Sequence, residues 1–284
     1  MASPLARRAN NATNALHSLV YFAPEAEERF TALGLEPDRM TYFAGRAAPM
    51  GAVGAGVVTA TFYNFNPELV ARCIPAAWKL ASPAAVIEAR FAAADAALRR
   101  LLGQDVIGSP KLATFAELIR AAAGGCAPEG RPLYAAHADL GWPAEPHLVM
   151  WHAASLLREH RGDGHITALA EAGLSGIEAL ITHTVTGKGF LPEFARTSRG
   201  WSQQDWNAAV HGLAERGLMD ETGALTAAGQ ELRAQVERET DRLAAAPWQH
   251  LGDERTEQVT VIGRELTGIA LAAGAYPAAI FPAP

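Results

Sequence analysis

Apolar residues in this chain recur three and four positions apart far more often than they alternate, which is the pattern of helices with one buried face. In LVMWHAASLLREH, at 148–160, Val149, Ala153, Leu156, Leu157 and His160 share one face, Trp151, Ser155 and Arg158 a second, and His152 and Glu159 a third. Val86, Ile87, Ala94, Leu98, Leu101 and Leu102 fit another helix, opened by Ser82-Pro83 and closed by Gly103. Asn66-Pro67-Glu68 predicts a further start, Pro24 to Gly34 a short helix, and 111–123 one more. In YFAGRAAPMGAVGAGVVTATFYNF the small residues fit helix and strand equally.

Punctuation supplies the organisation. CAPEGRP and GWPAEP hold four prolines and two glycines, which predicts a boundary between a helical N-terminal region, 1–135, and a helix-turn-helix or winged-helix-like region, 136–284. Within the second region Gly162 and Gly164 predict a turn after the 148–160 helix, with Asp163 capping the next helix. Ser175 with Glu178 three residues later reads as a capping box, and Ser202 with Asp205 repeats the arrangement before the stripe Trp206, Ala209, Val210 and Leu213. GLMDETGALT predicts a β-hairpin turning at 220–223, and a long helix follows Thr226. The expected fold is therefore mainly α, with a helical N-terminal half and a winged-helix-like C-terminal half bearing a small β-hairpin.

Composition narrows the class. Of 284 residues, 49% are hydrophobic and 19% charged, so the chain is globular. A net charge of -6 argues against nonspecific coating of nucleic acid. Cys73 and Cys126 lie far apart with no CxxC partner, which excludes a disulfide framework and a structural zinc motif and implies a reducing, cytoplasmic location. Arg7 and Arg8 precede polar Asn10, Asn11 and Asn14, so the start reads as a frayed tail. The apolar stretches at 47–62 and 266–281 are shorter than about 20 residues and contain Gly or Pro, so both read as buried core and no membrane partner is expected.

The blocks YFAGRAAPMG, ATFYNFNP, WHAASLLREHRGDGH, SRGWSQQDW, GALTAAG and ETDRLAAAPW together resemble a family of actinobacterial helix-turn-helix-like proteins, over nearly the whole chain. The resemblance implies the fold and no catalytic residue.

Chemistry must then come from the residues. For DNA, the helix expected at 176–186 offers Thr182, His183, Thr184 and Thr186 as reading groups and Lys188 as the nearest cation, with Arg196 and Arg199 just beyond; Asp220 and Glu221 at the hairpin tip oppose phosphate. Seven of nine histidines fall between His137 and His211, but no HExxH or HxxxH pair occurs, so no metal is expected. Gly51, Gly54 and Gly56 lack the order of a dinucleotide fingerprint and the lysine of a P-loop, and no GxSxG is present, so no cofactor is expected. RGD at 161–163 reads as a turn.

What remains is a pocket between the halves, lined by Arg46, Tyr63, Asn64, Trp151, Arg158 and His165, for a small molecule with an aromatic body and an anionic group. The leading expectation is a cytoplasmic small-molecule-binding protein on a winged-helix scaffold, acting as a ligand-responsive, homodimeric transcriptional regulator with DNA as second partner. The alternative is an enzyme of specialised metabolism using His152 or His165 as acid or base.

Overall fold

The computed structural model describes residues 4–277, and among these the chain is built from helices. They run Pro4–Ser18 (α1), Pro24–Ala32 (α2), Arg39–Ala47 (α3), Ala55–Phe62 (α4), Pro67–Cys73 (α5), Ala77–Leu80 (α6), Pro83–Leu102 (α7), Gln104–Ile107 (α8), Pro110–Ala123 (α9) and Pro132–Ala138 (α10). Then follow Pro146–Glu171 (α11), Gly176–Thr184 (α12), Pro192–Ser198 (α13), Gln203–Glu215 (α14), Ala227–Leu243 (α15), Ala246–Leu251 (α16) and Asp253–Ala272 (α17). The starts follow local chemistry: Asn66, Ser82, Ser175 and Ser202 each accept a backbone N–H of their own first turn, and the last two close full capping boxes. The undecided stretch after Tyr42 is helical, as α3, a 3-10 turn at Ala48–Met50, and α4.

Two apolar clusters organise the molecule. The larger one joins α1, α7, α9 and the first half of α11, and is completed from the other end of the chain by Trp248, Leu251, Val259 and Leu266. The smaller one gathers Ala168 and Leu169 at the end of α11 with Ala179 and Ile181 of α12, Leu213 of α14, Met219, and Val236 of α15. Helix α11, 26 residues or about 39 Å long, is common to both.

The turn expected at Gly162 and Gly164 does not form, because α11 runs straight through it. Gly164 serves close packing instead. A Cβ on Gly164 would stand 2.7 Å from Arg131 Nη1 and 3.1 Å from Leu243 Cβ. Asp163 caps a different helix from the one expected, accepting the Tyr134 N–H of α10 at 2.9 Å. Nor is the N-terminus frayed from Pro4 onward: α1 packs between α11 and α17, where a Cβ on Gly263 would stand 3.1 Å from Ala12 Cβ and the Tyr276 hydroxyl reaches Ala15 O.

Among the described residues the hairpin is reduced to one antiparallel bridge, Met219 with Leu225. Its tight turn is held by the Asp220 carboxylate, which accepts from the N–H groups of Thr222 and Ala224, with Gly223 at φ 81°. Pairing stops there because Thr226 immediately caps α15, and Gly229 lies so close to Leu218 O that a Cβ would stand 2.1 Å away. No described helix is long and apolar enough to cross a membrane. The 266–281 stretch ends in residues outside those described.

Candidate functional site

Where the two clusters meet, α3, the segment after α4, α11, α12 and α15 enclose a cavity of about 400 Å³. Tyr42 and Arg46 reach it from consecutive turns of α3, Arg158, Arg161 and His165 from one face of α11, and Arg199 from the end of α13. A second, more apolar cavity of about 770 Å³ adjoins it and shares Asn14, Tyr42, Arg158 and Arg199, with Phe190 and Phe194 on its wall.

The centre of the joint is an ion-pair cluster. Arg46 donates to Glu159 through Nε at 3.0 Å and Nη2 at 2.8 Å, and Arg158 donates to the same carboxylate. Burial pushes the Glu159 carboxyl up, but Arg158 and Arg46 outweigh it and hold the group well below the usual carboxylate range. The Arg46 guanidinium also lies 4.4 Å over the Phe62 ring. Its Nε and Nη2 are thus both taken by Glu159, and Arg46 positions that carboxylate.

Arg161 is tied to Asp241 at 3.0 Å. Arg199 differs from its neighbours. It lies 4.6 Å over Phe65 and 5.4 Å over Phe190, donates to the Ser198 hydroxyl, and forms no ion pair with a carboxylate among the described residues. Desolvation lowers its guanidinium to about 10. Burial raises the Tyr42 phenol, yet Arg46, Arg199 and Arg158 together bring it below its ordinary value, so positive potential fills this chamber.

His165 shares a hydrogen bond of 2.8 Å with Thr240, and burial, with Arg233 and Arg161 nearby, drives the imidazole down to about 3. It lines the joint with its imidazole held neutral by burial. His152, the other acid-base candidate, lines none of these cavities; it is buried between Phe91 and Trp142, and burial lowers it to about 4.

Tyr63 and Asn64 line the joint as expected, but their polar atoms hold it together. The Tyr63 hydroxyl donates to Leu174 O at 2.6 Å, Asn64 O accepts from Trp201 Nε1 at 2.9 Å, and Gly176 approaches Tyr63 O so closely that a Cβ would stand 2.0 Å away. Trp151 does not join them. It is fully buried in the large core, stacked on His17 and donating to His17 O, because the face it shares with Ser155 turns toward α1. Nothing in the periodicity marks Arg199, which is held over the Phe65 and Phe190 rings of distant segments; the spacing of Tyr42 and Arg46 is the one added signal that a helix at α3 would have exposed.

Helix α12 does not present the reading groups expected of it. Thr182 and Thr184 are buried and bond to carbonyls of their own helix, and His183 faces the joint. The exposed helix of this unit is α14, whose only buried residue is Leu213. Across 203–223, α14 and the tight turn carry Asp205, Glu215, Asp220 and Glu221 against Arg216, and that arginine is paired with Glu178.

Comparison with known proteins finds a match to the model of a Helix-turn-helix family over residues 6–277, and the chain belongs to that family. Membership suggests a DNA-binding, regulator-like role. No curated protein and no solved structure matches the chain.

Proposed function

We propose that this protein is a cytoplasmic regulator of the helix-turn-helix family whose primary activity is to bind a small aromatic anion at the joint between the helical body and the α12–α15 unit. The observation that carries this reading is Arg199: a half-buried guanidinium, stacked on Phe65 and Phe190 and without a carboxylate partner among the described residues, shared by a polar chamber of about 400 Å³ and a more apolar one of about 770 Å³. A carboxylate would take the fork of Arg199 and the free edge of Arg158, while its ring lies among Phe190, Phe194 and Tyr42. Thermal-shift screening of aromatic carboxylates of at least about fifteen heavy atoms, sized to the two chambers together, tests it. Several should raise the melting temperature of the wild type, and Arg199→Ala should abolish that rise; equal stabilisation of the variant sinks the proposal.

Family membership favours a second activity, DNA binding in a winged-helix manner, with α14 as reading helix, the 219–225 turn as wing, and a twofold homodimer supplying a second copy. Charge limits its form. Residues 171–245 carry seven Lys and Arg against eleven Asp and Glu, so few phosphates can be neutralised. Fluorescence anisotropy against salt should give a shallow slope for any DNA complex, and a steep slope would contradict this electrostatic argument.

A further inference from the structure

Among the described residues a buried arginine elsewhere also lacks an anion. Arg90 of α7 is 2% exposed, its Nε and Nη2 have no hydrogen-bond partner, and among the described residues no carboxylate pairs with it. Arg46, buried to a similar degree, is gripped by both oxygens of Glu159. Water is nearly excluded from Arg90, and the Trp151 ring at 4.7 Å is its principal compensation. A buried cation in this condition is costly unless an anion completes it.

Arg90 lines a third cavity, about 300 Å³ in volume, enclosed by the 3-10 turn after α1, by α2 and by α3. Its walls are mixed: Val20, Phe22, Ala26 and Phe30 supply apolar surface, and Tyr21, Arg39, Thr41 and Tyr42 supply polar surface of similar extent. Two acids also line it, Glu27 and Asp38, but both are exposed to solvent with Arg39 alongside, whereas Arg90 is buried. The volume suits a body of about ten heavy atoms, the rings of Phe22 and Phe30 offer it an apolar contact, and a planar fork matches a single carboxylate.

We infer that this cavity is a separate binding site for a small apolar monocarboxylate, aromatic or branched aliphatic, whose carboxylate completes Arg90 and whose body packs on Phe22 and Phe30. The cavity shares Tyr21, Phe22, Arg39 and Tyr42 with the apolar chamber of the joint, but its anion-binding group is its own, because neither Arg158 nor Arg199 lines it and Arg90 lines neither chamber of the joint.

Benzoate is a suitable probe, titrated by calorimetry and thermal shift into the full chain and its Arg90→Gln and Arg199→Ala variants. The wild type should bind it, Arg90→Gln should bind about tenfold more weakly or less, and Arg199→Ala should leave this event unchanged. Without benzoate, Arg90→Gln should melt no lower than the wild type, because an unpaired buried charge has been removed. Arg90→Lys, which keeps the charge and loses the fork, should bind with intermediate affinity. Absence of binding to the wild type, undiminished binding to Arg90→Gln, or a marked fall in the melting temperature of ligand-free Arg90→Gln would each overturn the inference, the last by showing that Arg90 is a structural stacking partner. Binding lost in Arg199→Ala and kept in Arg90→Gln would overturn it while leaving the joint site standing.

Discussion

The helical body and the α12–α15 unit are built on opposite principles. The body encloses a continuous apolar core that takes in residues from Ala6 to Ala275 and sinks rings and charges into it, with Phe43, Phe115 and Trp151 fully buried. The smaller unit has eight buried apolar residues at its centre and relies on directional bonds from outside: Tyr63 to Leu174, Trp201 to Asn64, and Asn66 N to Arg199 O. A unit with so few buried contacts opens more readily than its neighbour. The lesson is that contacts added at the joint would tighten the weaker partner, which is what the proposed ligand would do.

The comparison is most exposed to failure at Glu159. Replacing it with alanine leaves Arg46 and Arg158 without their shared carboxylate, and chemical denaturation should show a loss of ~3–5 kcal/mol in both regions together, because α11 serves both. The pH dependence has a defined sign. The folded Glu159 carboxyl lies below its unfolded value of 4.5, so its stabilisation is complete above that value and disappears as pH falls through the folded one. His137 and His165, both lowered to about 3 from 6.5, act in the same direction over a higher window. The unfolded chain takes up their protons first, so stability should begin to fall just below pH 6.5 and keep falling into acid. A protein equally stable at pH 7 and pH 4 would contradict both assignments.

Leu213→Ala sharpens the contrast. The side chain is fully buried in the small cluster, and its truncation should cost ~2–5 kcal/mol, read by hydrogen exchange as lost protection in α12, α14 and α15 with α1 and α17 unchanged. Equal loss of protection in α1 and α17 would show that the two regions unfold as one. Ser175→Ala removes the capping box of α12 and should cost ~1 kcal/mol, confined to the same unit. Tyr63→Phe removes one hydrogen bond across the joint. It should lower stability by ~0.5–1.5 kcal/mol, with increased exchange at the start of α12, and an unaltered exchange pattern would mean that this link does not restrain the unit.

The sequence alone determined what is local. Helix starts at Asn66, Ser82, Ser175 and Ser202 were legible because a cap satisfies N–H groups within its own first turn, and the helical character of 83–102 was legible because periodicity of 3.6 residues needs no knowledge of the partner. Tertiary structure decided every question whose answer lies on another element. Gly162 and Gly164 carry the composition of a turn, yet Arg131 and Leu243 press against Gly164 and the helix continues. Trp151 and Arg158 share a helical face in sequence, but α1 covers one and the joint takes the other. Arg46 found Glu159 at a separation of 113 residues, while Arg90 and Arg199 were turned onto aromatic rings without a carboxylate among the described residues. A side chain's chemistry is written in the sequence, but the dielectric around it and the partner that answers it are set only when distant segments pack.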